Sequence, residues 1–173
     1  AGILDHRIFC RMNLESIHPS IHFRPISEND IPILQKIYYS PRKTEMDMVV
    51  DWSPEQKEFF LLQQFTAQHL HYQEHYPNAY YGLILKEHEI IGRLYLNDHE
   101  GEVRIIDIAL LPAFRNQGIG SSILFYLQDK AKAENKSISI HVEGFNPALN
   151  WYQRMGFIKI DEHGIYHFMR WKP

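Results

Sequence analysis

The sequence predicts an α/β (α+β) fold with a mixed, mostly antiparallel central sheet flanked by helices. Three observations predict it. Between residues 79 and 111 apolar and polar residues alternate in three runs separated by short turns, which reads as an antiparallel meander. Residues 102–143 then read as strand, helix and strand, a unit that needs a parallel pairing. A further helix and two short strands close the chain. With no internal repeat and no low-complexity linker, the 173 residues fit one domain. Residues 21–173 are assigned to it, and 1–20 are read as an N-terminal extension, with Met12 a candidate natural start.

The elements follow in order. IHFRPI (21–26) is a first strand. Ser27 and Asp30 offer caps for a short helix that stops before Ser40-Pro41, because the residue before proline avoids the helical region. Residues 41–52 read as a loop. SPEQ (53–56) is a capping box with proline at the first helical position, and opens a helix to about Tyr76. Its apolar set, Phe59, Phe60, Leu61, Leu62, Phe65 and Leu70, is wider than a surface stripe needs, so it is covered on more than one side or lines a cavity. AYYGLIL (79–85) and EIIGRLYL (89–96) form a hairpin, and EVRIIDIALL (102–111) is the third meander strand. Helix 118–134 carries Ile119, Ile123, Leu127 and Ala131 on one face. SISIHVE (137–143) is a strand. Asn146-Pro147 opens a short helix that ends at Gly156, and FIKI and IYHFMRW are the last strands.

Composition narrows the function classes. Hydrophobic residues make up 45 % and charged residues 23 %, a normal globular balance. With 18 Lys and Arg against 21 Asp and Glu, the net charge is −3, which speaks against nucleic acid as a partner. The single Cys10 excludes an internal disulfide and points to a reducing, cytoplasmic setting. No apolar run is long enough for a membrane span.

The stretch RNQGIGSS (115–122) places two glycines at the mouth of a helix. Four backbone N–H groups there have no helical partner, and the dipole adds partial positive charge. Residues Asn116, Gln117, Gly118, Ile119, Gly120 and Ser121 therefore form a candidate phosphate cradle; the alternative is a turn whose glycines only permit close packing. No Lys follows Gly120, so this is not a Walker loop, and Ile123 stands where a dinucleotide fingerprint needs its third glycine.

R-x-x-G-x-G after a strand ending LLP, followed by N-P-A-L-N-W-Y-Q-R-M-G-F, resembles the GNAT superfamily of N-acetyltransferases over residues 21–171. Arg115, Gly118 and Gly120 match its pyrophosphate motif. Asn146, Ala148, Tyr152, Gly156 and Phe157 match its second signature. Residues 50–75 also resemble an uncharacterised branch. The resemblance implies a GNAT-like sheet in which strands 102–111 and 137–143 splay apart around acetyl-CoA. The pantetheine arm would pair with backbone of Ala109, Leu110 and Leu111, and the pyrophosphate would rest on the cradle. It implies an acetyl-CoA-dependent N-acetyltransferase acting on a primary amine, and allows a homodimer through the last strands. The competing reading is a non-catalytic acyl-CoA-binding or scaffold module.

Tyr152 resembles the family's general acid near the CoA sulfur; without the resemblance it reads as a packing tyrosine. The base stays open among His141, Glu143, Asp107 and water, with His141 suited by an ordinary pKa near 6.5. Some family members carry a Glu at the position of His141. An acceptor pocket would form from 41–76 and 79–96, with Trp52, Phe60, Tyr81 and Tyr95 as aromatic walls and Asp107 at the acceptor. His69, His71 and His75 suggest a metal, but HYQEH is not HExxH, and a solvated helix face accounts for them.

Overall fold

The computed structural model describes Leu14 and residues 20–173, so the N-terminal extension lies almost wholly outside the described residues. Seven strands form one sheet in the order β1-β2-β3-β4-β5-β7-β6. They are β1 Ile21–Pro25, β2 Tyr80–Lys86, β3 Glu89–Asp98, β4 Glu102–Leu110, β5 Ser137–Glu143, β6 Ile158–His163 and β7 Tyr166–Trp171. The helices are α1 Ile31–Tyr39, α2 Lys43–Asp47, α3 Pro54–His75, α4 Ile119–Ala133 and α5 Ala148–Arg154. Every neighbouring pair of strands is antiparallel except β4 and β5. This is the mixed sheet that the sequence predicts, with the parallel pair where the strand–helix–strand unit requires it.

The two faces of the sheet bury two cores. On one, α4 and α5 cover Leu94, Leu96, Val103, Ile105, Ile138 and Ile140. On the other, Leu34 and Ile37 of α1 and Phe65 of α3 pack with Leu83 and Tyr95. The alternation of side chains along β3 feeds both: Leu94 and Leu96 go one way, Tyr95 the other.

The caps form as their residues dictate. Ser53 Oγ accepts the Gln56 N–H at 3.2 Å while Gln56 Oε1 accepts the Ser53 N–H at 2.8 Å. Asn146 Oδ1 accepts the Ala148 N–H at 2.9 Å at the start of α5. Gly156, just past its end, has φ +91°, a conformation that any side chain would strain.

Two expectations are corrected. Residues 40–42 form a turn of 3-10 helix and 43–47 form α2, where the sequence suggests only loop. Ser40 stays helical, at φ −57° and ψ −44°, although Pro41 follows. Arg42 folds back to hold it, donating to Tyr38 O at 2.8 Å and lying 3.6 Å above the Tyr38 ring. Secondly, of the wide apolar set on α3 only Leu61 and Phe65 are buried. Phe59 and Leu70 are 61 % and 58 % exposed, and Trp52, Phe59 and Phe60 line a shallow cleft of ≈ 290 Å³.

A buried ion pair ties the far end of β3 to the turn before β5. Lys136 Nζ lies 2.6 Å from Asp98 Oδ1 and 2.7 Å from Glu134 Oε2, and both Lys136 and Asp98 side chains are under 10 % exposed. Burial opposes the ammonium charge, but the hydrogen bonds to Asp98 and Glu134 outweigh it and hold the Lys136 pKa above its ordinary value. Lys136→Met would leave the Asp98 carboxylate buried without its cation, at a cost of about 3–5 kcal/mol. Urea unfolding is expected to show that loss, and adding Asp98→Leu to recover part of it; an unchanged midpoint in the single variant would rule out the pair as a structural tie.

Candidate active site

The site begins where the parallel ladder stops. β4 and β5 pair from Glu102↔Ser137 to Ile105↔Ile140 and no further. Both strands continue, β4 to Leu110 beside β3, and β5 to Glu143 beside β7. The facing edges of 106–110 and 141–143 therefore diverge as a fork, with backbone groups that no longer meet each other. The cause lies in β4. Leu96 opposes Ile105 but Tyr95 opposes Asp107, so Ile106 is an extra residue, a β-bulge one step past the last parallel rung.

At the mouth of the fork lies RNQGIGSS. Leu111 closes onto β3 through its N–H to Ile91 O at 2.7 Å, and a turn of 3-10 helix (112–114) leads into the loop. Arg115 Nε donates to Leu110 O at 2.9 Å, and Gln117 Nε2 to Ala113 O at 2.7 Å, fixing the loop to the strand end. Asn116 and Gly118 both have positive φ, +59° and +79°. Left-handed residues of this kind interrupt the helical pattern and are the turns from which anion-binding nests are built. The next amide to find a carbonyl is Ser122, 3.0 Å from Gly118 O. Among the described residues, the amides of 116–121 have no hydrogen-bond partner. Six free donors at the positive end of a 15-residue helix fit an anion. A Cβ at Gly118 would meet nothing within 4 Å, so that position is set by its φ, while one at Gly120 would touch Trp151 at 3.6 Å.

Trp151 is a residue that sequence reasoning passes over. Its Nε1 donates to Ser121 Oγ at 2.9 Å and its ring lies against Gly120, so α5 is pinned to the cradle. The next residue, Tyr152, is 4 % exposed and packs edge-on to Phe157. Burial first, and then the Asp107 charge, push its phenol pKa well up, which keeps it protonated.

Asp107 lies on β4 beyond the bulge. Its Oδ2 takes Nε and Nη2 of Arg93, both at 2.5 Å. Arg93 in turn donates through Nη2 to Gln68 Oε1 of α3 at 2.8 Å. Tyr95 is fully enclosed between Tyr72 and Tyr81, edge-on to both. Its hydroxyl has no partner of ordinary hydrogen-bond geometry, although the Arg93 guanidinium lies 4.8 Å above its ring. Tyr95 thus lies inside the wall between β3 and α3 and not on its surface. Trp52 is half-exposed, edge-on to Phe60 at the α3 cleft.

His141 is the first β5 residue beyond the last parallel rung. It is exposed, stacked on Phe168 at 4.9 Å and 5.7 Å from the His163 ring. Burial of its ring edge, then Arg104 and His163, lower its pKa below 6.5. Arg104 Nε donates to Ser139 Oγ, so those two share a face, and the alternation puts Tyr95, Asp107 and His141 on it as well. Tyr152 comes from the opposite face, with the α4 core. The fork brings together the cradle, Ala109 to Leu111, Asn146 and Tyr152; His141 and Asp107 stand on its two arms. Trp52 lies apart, on α3's outer side. His71 and His75 stack at 4.0 Å on the exposed face of α3.

Comparison with known proteins agrees with this geometry. Residues 46–157 match the model of the acetyltransferase (GNAT) family. An uncharacterised N-acetyltransferase of Schizosaccharomyces pombe is 39 % identical over 64 residues, 35 % of this chain and 42 % of that protein, so the match spans less than half of the relative's length. The PaiA N-acetyltransferase of Thermoplasma acidophilum, solved with coenzyme A, superposes with a TM-score of 0.65 at 19 % identity, covering 89 % of this chain and 99 % of its own. A GNAT acetyltransferase of Elizabethkingia anophelis with acetyl-CoA bound gives 0.56 at 22 % identity, over 90 % and 100 %. At these identities the solved structures show the shared fold. The family match spans well over half of the chain, and the protein belongs to the acetyltransferase (GNAT) family of N-acetyltransferases.

Proposed function

We propose that the protein transfers the acetyl group of acetyl-CoA directly to a primary amine. The observation that carries this reading is the fork itself, with six unpartnered amides at its mouth. The backbone edge of Ala109, Leu110 and Leu111 offers strand-like partners to the pantetheine amides. Residues Arg115 to Ser121 receive the pyrophosphate, and Asn146 shapes the turn at the tip of β5. Acetyl-CoA fits these groups because each needs a partner of that kind: strand edges for amides, and helix amides for phosphate.

The acceptor enters from the α3 side, where Asp107 faces it and the buried Tyr95 stands behind. The amine must first lose a proton, and His141, neutral at pH 7, takes it. The nitrogen attacks the thioester carbonyl, the C–N bond forms and the C–S bond breaks, and the surplus proton on nitrogen leaves to solvent, which restores the Tyr152 phenol once it has donated. Tyr152 delivers its phenolic proton to the departing sulfur, and burial together with the Asp107 charge keeps that proton in place beforehand. The net charge of −3 agrees with a cationic acceptor.

Three measurements test this. Calorimetric titration with CoA should show Gly120→Glu weakening affinity by about 10²-fold, or roughly 2.7 kcal/mol, by setting a carboxylate in the cradle. Gly120→Ala, whose methyl meets only an ordinary contact, should bind much as wild type does; equal affinity in the Glu variant would end the phosphate assignment. In a screen of amines followed by thiol release, Tyr152→Phe should lower kcat by roughly 10²–10⁴-fold with CoA affinity unchanged. A normal kcat would remove Tyr152 from the chemistry. The base must be deprotonated to act, so the rate should fall as pH drops through a His141 pKa below 6.5. His141→Gln should abolish that acid limb; an identical profile would leave the proton to water or to another group.

A further inference from the structure

β3 is apolar at its centre except for one cation. Arg93 lies among Ile91, Leu94, Tyr95 and Leu96, each at most 1 % exposed, and is itself 4 % exposed. A guanidinium there loses several kcal/mol of hydration unless its donors are met. Nε and Nη2 are met from two elements: Asp107 of β4 and Gln68 of α3.

The bulge makes this possible. In a regular ladder Ile106 would oppose Tyr95, and Asp107 would oppose Leu94 and turn towards the α4 core, in the place that Ile108 now takes. The extra residue re-aims the carboxylate to the face of Arg93. The resulting contact is lopsided. Both guanidinium nitrogens meet Oδ2, and Oδ1 accepts no hydrogen bond among the described residues. The carboxylate side chain is 24 % exposed where the guanidinium is 4 % exposed. The cation is thus sealed inward and the anion faces out, on the arm of the fork. Its charge reaches tyrosines on both faces of the sheet, contributing to the raised pKa of Tyr72 and Tyr95 on one side and Tyr152 on the other.

We propose that Arg93, steadied by Gln68, is the positioning residue of an ammonium site: it anchors Asp107 through Oδ2 so that Oδ1 receives the acceptor amine as a cation. This rests on the acetyl-transfer reading for its purpose, but the site exists independently of turnover. Because Arg93 offsets much of the carboxylate charge, Asp107 holds the ammonium by a directed hydrogen bond and does not lock the proton onto the nitrogen. A bare carboxylate would bind the cation more tightly and oppose its deprotonation. Gln68 links the same network to α3, so the helix beside the acceptor is registered to the anion that greets it.

The test uses ethylammonium chloride as the probe, on protein carrying ¹³C at the aspartate carboxylates, titrated with and without excess CoA. The Asp107 resonance is assigned by its loss in Asp107→Asn. In wild type it should shift saturably with ethylammonium and not with sodium chloride or ethanol at equal concentration. Arg93→Lys keeps the charge but not the fork, and should weaken that binding roughly tenfold. Gln68→Leu touches neither Asp107 nor the core, and should weaken it roughly threefold or more, which covers the case in which the Arg93 variant fails to fold. No saturable shift in wild type, or equal affinity in wild type and a folded variant, would overturn the proposal. CoA binding measured on the same samples separates this from the functional reading: a protein that binds CoA but not ethylammonium loses only the ammonium site, and one that binds ethylammonium without CoA loses only the acetyl-transfer reading.

Discussion

The structure depends on one local failure of hydrogen bonding: β4 and β5 stop pairing after Ile105 and Ile140. Each strand remains bound on its other side, so neither frays. β4 follows β3 and β5 follows β7, and the sheet opens between two intact halves. The bulge at Ile106 bends β4 at the point of divergence. On the α4 face Tyr152 packs in one core with Val142 and with Ile108, one residue from each diverging arm. A sheet that spends its interior ladder this way keeps polar backbone edges open at its centre, a cost that a ligand with amides of its own can offset.

The cradle belongs to the same construction. Two positive-φ residues, Asn116 and Gly118, keep six amides from closing a helical turn. The asparagine conformation costs about 1 kcal/mol, which ordinary loops avoid by using glycine. Arg115 bonds the carbonyl of Leu110 and Trp151 bonds Ser121, so loop, strand end and α5 are tied to one another. In the proposed reaction this matters because the phosphate end and the sulfur end of the donor are then registered to each other through protein atoms.

Much of this was legible in the sequence, and for local reasons. RNQGIGSS announces an open helix start by its glycines, and N-P-A-L-N-W-Y announces a capped helix at a defined distance beyond it. The alternation in 79–111 gives the meander and the strand–helix–strand order gives the parallel pair. What escaped is non-local. Ile105-Ile106-Asp107 reads as plain strand, and only the partner strand reveals that one residue is extra. Arg93 carries no signal of its own in the sequence, and only the register sets it diagonal to Asp107. Ser40 reads as a helix stop because of Pro41, yet Arg42 packing on Tyr38 carries the helical conformation through. The α3 ridge reads as covered on more than one side or as lining a cavity; Phe59 and Phe60 border only a shallow cleft and Leu70 stays exposed, since apolar content states what could be buried and not what arrives to bury it.

An acid and a base that serve one bond have opposite needs, and the environments of the proposed pair, Tyr152 and His141, differ in that sense. The donor must hold its proton, and Tyr152 lies in the α4 core where burial and the Asp107 charge both raise its pKa. The acceptor must be free of its proton, and His141 lies on the other face near Arg104 and His163, which with partial burial lower its pKa. In an unbroken sheet these two faces are separated by a continuous backbone layer, and no atom could meet both. Only where the ladder is missing can side chains from opposite faces address one site. In the proposed reaction the divergence after Ile105 therefore does two things at once: it frees the strand edges for the donor, and it lets the opposed environments of the two faces act on the same transfer.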